Sequence, residues 1–142
     1  MPATLAARSV LDRGGNAVDA AATAALAMGS ARPQSCGLGG GGFLVYRSAG
    51  GREATIDSRE TAPRSITPDA FQGEGPFRTF TGDKTVGVPG TLAGVEAALE
   101  RFGTLSLSQA LAPAERLAAQ GVRVTPSLAQ DLAANASRLG KS

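Results

Sequence analysis

From Ala20 to Met28 the chain is apolar but for Thr23, and most of those residues are alanine. A segment of this kind limits the fold before any other feature does. It forms helix readily, and being apolar almost all round it asks for cover on several sides. The same alanine richness returns between Ala110 and Ala119. Alanine buries little area per residue, so a core built from it is thin. The 142 residues hold only 5 Phe, 1 Tyr and no Trp to thicken it. The length suits one ordinary domain, but one that needs further layers from a larger protein to cover its helices.

Leu5, Ala6, Val10 and Leu11 recur at helical spacing and predict a first helix from Ala3 to Arg13, stopped by Gly14-Gly15. Asn16 is the expected N-cap of a second helix running to about Ser30, with Asp19 in its first turn, where the dipole favours a negative charge. Arg32-Pro33 ends that helix and opens a loop through Gly42. Phe43 to Tyr46 and Thr55 to Asp57 read as short strands joined by a turn at Ala49-Gly50-Gly51. Arg59 to Lys84 reads as loop, with a helical turn starting at Pro68-Asp69, and Val86 to Gly90 as a short extended segment. Three helices follow: Thr91 to Phe102 capped by Thr91, Ser106 to Gln120, and Pro126 to Leu139, the last with Thr125 and a proline at its start. A two-stranded hairpin is marginal alone, so this one reads as the edge of a larger sheet with helices packed on it.

Several function classes are excluded by absence. There is no histidine, which removes Ser-His-Asp and Cys-His catalysis and the usual imidazole zinc sites from this chain. Cys36 is the single cysteine, so no internal disulfide forms. No cofactor and no metal are expected. The net charge is +2, but the basic residues are scattered singly with no run of Lys or Arg, and Phe77 and Phe80 beside Arg78 make no larger cluster. Nucleic acid is therefore not an expected partner. The longest apolar stretch is about half of the roughly 20 residues a membrane span requires. Met1-Pro2-Ala3-Thr4 has no charged region leading into an apolar one. Taken literally that is a cytoplasmic protein, although a fragment could have its signal upstream.

Gly37-Leu38-Gly39-Gly40-Gly41-Gly42 formally satisfies the dinucleotide fingerprint, but it follows a helix and opens a strand, the reverse of what that motif requires. Its glycines read instead as positions needing positive φ, or as places where another backbone approaches closely. Asp57-Ser58-Arg59-Glu60-Thr61-Ala62-Pro63 leaves the second strand directly. Strand ends that open into loops are common sites for functional side chains. The guanidinium of Arg59 offers a planar fork of donors for a carboxylate, either a ligand's or that of Glu60 or Asp57 in an internal pair. Cys36 reads as a packing residue, since only Arg32 is nearby to activate it. Asn135-Ala136-Ser137 is a formal glycosylation acceptor inside a predicted helix, and Ser106 and Ser108 sit where capping accounts for serine.

Taken together, these segments resemble the γ-glutamyltranspeptidase family, and in particular the front of its large subunit. Gly14-Gly15-Asn16-Ala17-Val18-Asp19-Ala20-Ala21 matches the family's early helix motif, and Pro33 to Phe43 its glycine-rich loop. Asp57 to Pro63 resembles its Asp-x-Arg-Glu-x-Ala-Pro segment. Val86-Gly87-Val88-Pro89-Gly90-Thr91, and Leu111 to Ala114 with Ala118 to Gly121, complete five matches in order along most of the chain. The resemblance implies a partial segment, over residues 1–142 and clipped at both ends, of an α+β N-terminal nucleophile hydrolase with an αββα sandwich. It also implies a γ-glutamyl substrate such as glutathione. The implied partners are the remainder of the large subunit and a small subunit, made by self-cleavage, whose N-terminal threonine attacks the γ-glutamyl amide. That threonine's own amino group can serve as base, so no histidine is needed. Water or an amino acid then takes the γ-glutamyl group.

Carried over residue by residue, the resemblance assigns Arg59 to the substrate's α-carboxylate and Glu60 to orienting that arginine. No catalytic residue is expected in this chain, and the 142 residues alone are expected to be inactive. The family resemblance points to a periplasmic or extracellular full protein. The competing reading is a non-catalytic, truncated relative acting as a binding or structural module, with an exposed apolar surface.

Overall fold

The computed structural model describes residues 2–73, 75 and 82–140. Among the described residues there are five helices, α1 (Pro2–Asp12), α2 (Ala17–Ala31), α3 (Thr91–Phe102), α4 (Leu107–Gln120) and α5 (Pro126–Leu139). Strands β1 (Phe43–Arg47) and β2 (Glu53–Asp57) form an antiparallel hairpin, and a 3₁₀ turn covers Asp83–Thr85. The chain divides into two compact units, residues 1–37 with 98–142, and residues 38–97. The Phe77, Arg78 and Phe80 cluster lies outside the described residues.

In the first unit, α1 ends as its sequence demands. Gly14 has φ 85°, its N–H reaches Leu11 O at 2.9 Å, and the Gly15 N–H reaches Val10 O at 3.0 Å, which closes the helix on a left-handed glycine. α1 meets α2 through Ala3 and Val10, both buried, while Leu5 and Leu11 are exposed. The leucines of the apolar repeat thus fall on the outer side, and the smaller residues take the contact with the alanine-rich helix. α2 packs on α4, where Ala110 and Ala114 are buried and Ser30 Oγ donates to Ala114 O at 3.1 Å. α4 runs unbroken through Pro113, although proline removes an internal hydrogen bond and costs about 3 kcal/mol in a helix interior. Leu26, Ala27, Ala98, Leu99 and Leu128 complete a core built largely from alanine, as the composition requires. On α2 the residues Ala17, Ala21 and Ala25 form one exposed stripe, and the rest of the helix is buried or half-buried.

One polar anchor holds this unit together. Asn16 Oδ1 accepts from the N–H groups of Val18 (2.8 Å) and Asp19 (3.0 Å), while Asp19 Oδ2 accepts from Asn16 N (2.9 Å), a complete capping box. Asp19 is fully buried and does more than cap. Its Oδ1 accepts from Thr104 N (2.7 Å) and Leu105 N (3.0 Å), and its Oδ2 from Thr104 Oγ1 (2.7 Å). Asn16 Nδ2 donates to Phe102 O at 2.8 Å. The start of α2 is thereby fastened to the turn between α3 and α4. Burial by itself raises the Asp19 carboxyl, but the N–H groups of Leu105, Thr104 and Asn16 and the Thr104 hydroxyl together outweigh it and hold the group below the ordinary carboxylate value. Ser106 caps α4 in a second box with Gln109, and Thr125 caps α5, whose first residue is Pro126.

In the second unit the hairpin pairs Phe43 with Asp57, Leu44 with Ile56, Val45 with Thr55, Tyr46 with Ala54 and Arg47 with Glu53. Both strands are longer than the spacing predicted, and Ser48 and Arg52 close the turn between them. Leu44, Tyr46, Ala54 and Ile56 share the more covered face, whereas Phe43 (69%) and Val45 (81%) stand exposed on the other. Where the sequence reading placed a helical turn at Pro68-Asp69, Ala70 N reaches Thr67 O and Gln72 N reaches Asp69 O in successive tight turns.

Candidate functional site

β2 ends at Asp57, and main-chain pairing continues beyond it at Ser58 and at Thr61. Ser58 N donates to Gly42 O at 2.9 Å and Gly42 N to Ser58 O at 3.2 Å, which carries the hairpin ladder one pair further. Thr61 pairs with Val88 on the other side through hydrogen bonds of 2.8 and 3.4 Å. The glycine-rich loop and the Val86 to Gly90 segment therefore flank one short stretch, Ser58 to Thr61. The two flanks are tied to each other as well, because Gly40 O accepts from Gly90 N (2.9 Å) and Thr91 N (3.1 Å). This corrects the expected cap of α3. The helix begins at Thr91, with Gly94 N bonded to Gly90 O, and a main-chain carbonyl from the glycine loop meets its first donors.

Gly37, Gly39, Gly41 and Gly42 all lie outside the left-handed region, and close backbone approach accounts for Gly41 alone, since a Cβ on Gly39 or Gly42 would meet nothing within 4 Å. A Cβ on Gly41 would strike Ser58 O and fall 2.5 Å from Glu60 N, and one on Gly90 would strike the Ser58 carbonyl. The loop lies between α2 and β1, so the dinucleotide topology is absent here.

Within this cradle Arg59 N donates to Asp57 Oδ1 at 3.0 Å, a local turn made by the strand's last side chain. The Arg59 side chain is 63% exposed, and its Nε lies 3.7 Å from Glu60 Oε2. That distance exceeds a hydrogen bond, and an ion pair this open contributes well under about 1 kcal/mol. The internal pair weighed from the sequence thus exists with Glu60 and not with Asp57. It engages Nε and leaves the two terminal nitrogens without a hydrogen-bond partner among the described residues. Glu60 is half-buried; its Oε2 is covered and has no hydrogen-bond donor. The same side chain lines an open cavity of about 320 Å³ with Thr61, Ile66, Phe71 and Val86. A guanidinium fixed at its backbone and open at its tip is suited to a planar anion, a carboxylate above all.

The remaining candidates have the structural roles that the sequence allowed. Cys36 is half-buried, with Sγ 3.7 Å from Ser35 Oγ. Asn135 sits inside α5 with Nδ2 on Asp131 O at 2.8 Å, and the Ser106 hydroxyl accepts from Gln109 N. Among the described residues no group of three acidic, cysteine or histidine side chains is placed to hold a metal ion, and no helix is long and apolar enough to cross a membrane. Two participants were not singled out from the sequence, Ser58 and Gly94. The available signal was a glycine in the middle of a helical pattern, which costs stability unless something lies against it.

Comparison with known proteins extends this geometry. The gamma-glutamyltranspeptidase family model matches residues 3–142. Glutathione hydrolase 2 of Arabidopsis thaliana is 45% identical over 130 residues, covering 92% of this chain and 22% of the plant protein. The glutathione hydrolase proenzyme of Escherichia coli (strain K12) is 42% identical over 134 residues, covering 92% of this chain and 23% of its own. The crystal structure of Helicobacter pylori gamma-glutamyltranspeptidase superposes with a TM-score of 0.94 at 36% identity, covering 99% of this chain and 42% of that one. The chain therefore spans less than a quarter of the length of these two curated relatives.

Proposed function

The chain belongs to the γ-glutamyltranspeptidase family, and from that premise we propose that it is the part of a glutathione hydrolase or γ-glutamyltransferase that recognises the donor's α-carboxylate through Arg59. Its fold class is the family's, an α+β segment of the N-terminal nucleophile hydrolase type. The observation that carries the functional reading is the state of Arg59. Its N–H is held by Asp57 Oδ1 and its side chain is largely exposed, with the terminal nitrogens lacking a hydrogen-bond partner among the described residues. A γ-glutamyl group carries a free α-carboxylate at the end remote from the scissile amide. A two-pronged pair there sets the donor's position without touching the reacting carbonyl. Glu60, half-buried with Oε2 3.7 Å from the guanidinium's Nε, is the neighbouring charge that in this reading biases the fork's orientation.

In this reading the nucleophile is the N-terminal threonine of a small subunit released by self-cleavage. That subunit and the rest of the large subunit are the chain's partners, and glutathione is the donor. A periplasmic or extracellular location for the full protein goes with the same reading. The exposed Phe43 and Val45 fit a segment that other layers cover, and equally a non-catalytic module, so exposure does not separate the two readings.

Arg59→Lys in the full-length enzyme does separate them. Lysine keeps the charge and loses the fork. Loss of one charge-assisted bond, about 1.5–3 kcal/mol, raises KM for the γ-glutamyl donor on the order of 10- to 100-fold with a smaller change in kcat. An unchanged KM would count against the carboxylate assignment, and a full-length protein with no turnover of γ-glutamyl donors would favour the module.

A further inference from the structure

Gly94 has no local reason to be glycine. It lies inside α3 outside the left-handed region, and alanine there would favour the helix by about 1 kcal/mol. The reason lies across from it. A Cβ on Gly94 would fall 2.5 Å from Ser58 Cβ and closer still to Ser58 Oγ. Ser58 is itself held on its other sides: its main chain pairs with Gly42, its Oγ donates to Gly42 O at 3.0 Å, and Gly90 lies against its carbonyl. The residue that follows is Arg59.

We propose that Gly94 and Ser58 are positioning residues for Arg59: the bare face of α3 at Gly94 sets the depth at which Ser58 seats, and Ser58 sets the point from which the guanidinium projects. The proposal rests on the assignment of Arg59 to the donor carboxylate. Side-chain carbons in contact sit about 3.5–4 Å apart, so a methyl group at position 94 moves Ser58 outward by about 1 Å. Arg59 travels with it, because the two share a peptide bond and Ser58 has no slack in the ladder. A bidentate guanidinium–carboxylate pair holds N···O at about 2.7–2.9 Å, and a displacement of about 1 Å is enough to lose two orders of magnitude in a positioned reaction. The Ser58 hydroxyl has the complementary part. It ties the segment to the glycine loop, so its removal lets Ser58 shift without crowding it.

The test uses the full-length enzyme and two donors, γ-glutamyl-p-nitroanilide and the same anilide lacking the α-carboxylate. The quantity read is the ratio of their kcat/KM values, which reports use of the carboxylate and is insensitive to general damage. Arg59→Met collapses that ratio. Gly94→Ala lowers it about tenfold or more, with the loss appearing in KM for the carboxylate-bearing donor. Adding Ser58→Gly to Gly94→Ala removes both clashing atoms and raises the ratio again, but only to the level of Ser58→Ala, because the hydroxyl's tie to Gly42 O is lost in both. Ser58→Ala alone, which creates no clash and serves if Gly94→Ala fails to fold, lowers the ratio severalfold. If Arg59→Met leaves the ratio unchanged, the carboxylate assignment fails and takes this proposal with it. If Arg59→Met collapses the ratio while a folded Gly94→Ala protein, or Ser58→Ala, keeps the parent ratio or loses both donors equally, the assignment stands and the positioning role is overturned.

Discussion

Replacing Asp19 offers the sharpest test of how the first unit is held. Its carboxylate is fully buried and accepts from Asn16 N, Thr104 N, Thr104 Oγ1 and Leu105 N at 2.7 to 3.0 Å. Asp19→Ala strands all of these donors at once. Each bond to a charged acceptor contributes about 1.5–3 kcal/mol, but some donors regain water or shift, so the sum is not taken. Breaking one side of a buried charged network costs about 3–5 kcal/mol, and about 4 kcal/mol is the working figure. Asp19→Asn is milder, at about 2 kcal/mol, since the amide oxygen still serves Thr104 N and Leu105 N while its NH₂ faces Asn16 N. The assay is hydrogen exchange of the Thr104 and Leu105 amides in the native protein, which reads local opening without requiring two-state unfolding. A loss of about 4 kcal/mol is roughly a thousandfold fall in protection, ranked parent above Asn above Ala. The pH dependence has a fixed sign. The folded carboxyl is held below its unfolded value of about 3.9, so its stabilisation is whole above that value and is lost as pH falls through it toward the folded value. Asp19→Asn removes this acid-sensitive part. A thousandfold protection that survives Asp19→Ala, or an acid response identical in the Asn variant, would refute the anchor.

Two further outcomes follow from the same packing. Gly103→Ala places a Cβ 2.7 Å from Asp19 Oδ1 and 2.9 Å from Leu99 O, and crowding of that kind costs about 1–3 kcal/mol. Because it acts on the same anchor, its cost in thermal unfolding should not add to that of Asp19→Ala, and strict additivity would show the two sites to be independent. The isolated 142-residue chain, lacking the threonine nucleophile of the proposed small subunit, should release no product from a γ-glutamyl anilide, and measurable turnover by the purified chain would contradict that.

The sequence disclosed the helices because their ends carry local signals. Asn16, Ser106 and Thr125 cap through their own side chains, and Gly14 stops α1 through its own φ, so each is readable within a few residues. The bounds of α3 match the prediction, but its cap differs for the complementary reason. Its first donors are met by Gly40 O, some fifty positions away in the chain, and no local pattern around Thr91 encodes that. Asp19 was legible as a dipole partner and not as an anchor, because its other three donors come from the turn at Thr104 and Leu105. The inward face of α1 was only partly legible, since spacing marks Leu5 and Ala3 as equally apolar and only the alanine surface of α2 decides between them.

The two units therefore specify their shape by different means. The first is assembled from alanine and a few leucines, and its order comes from helix contacts secured by one buried carboxylate. In the second, Ile56 is the one buried large hydrophobic residue among those described. Hydrophobic burial on that scale cannot fix the position of a side chain to within a fraction of an ångström. Main-chain pairing can, provided the backbones are allowed to touch, and Gly41, Gly90 and Gly94 are where they touch. On the proposed assignment, a segment that holds the Arg59 guanidinium in place gains more from such a lattice than from a larger core. The bonds are directional, and each missing Cβ removes the slack that a side chain would introduce. Gly41, Gly90 and Gly94 then belong to the proposed recognition as much as Arg59 does.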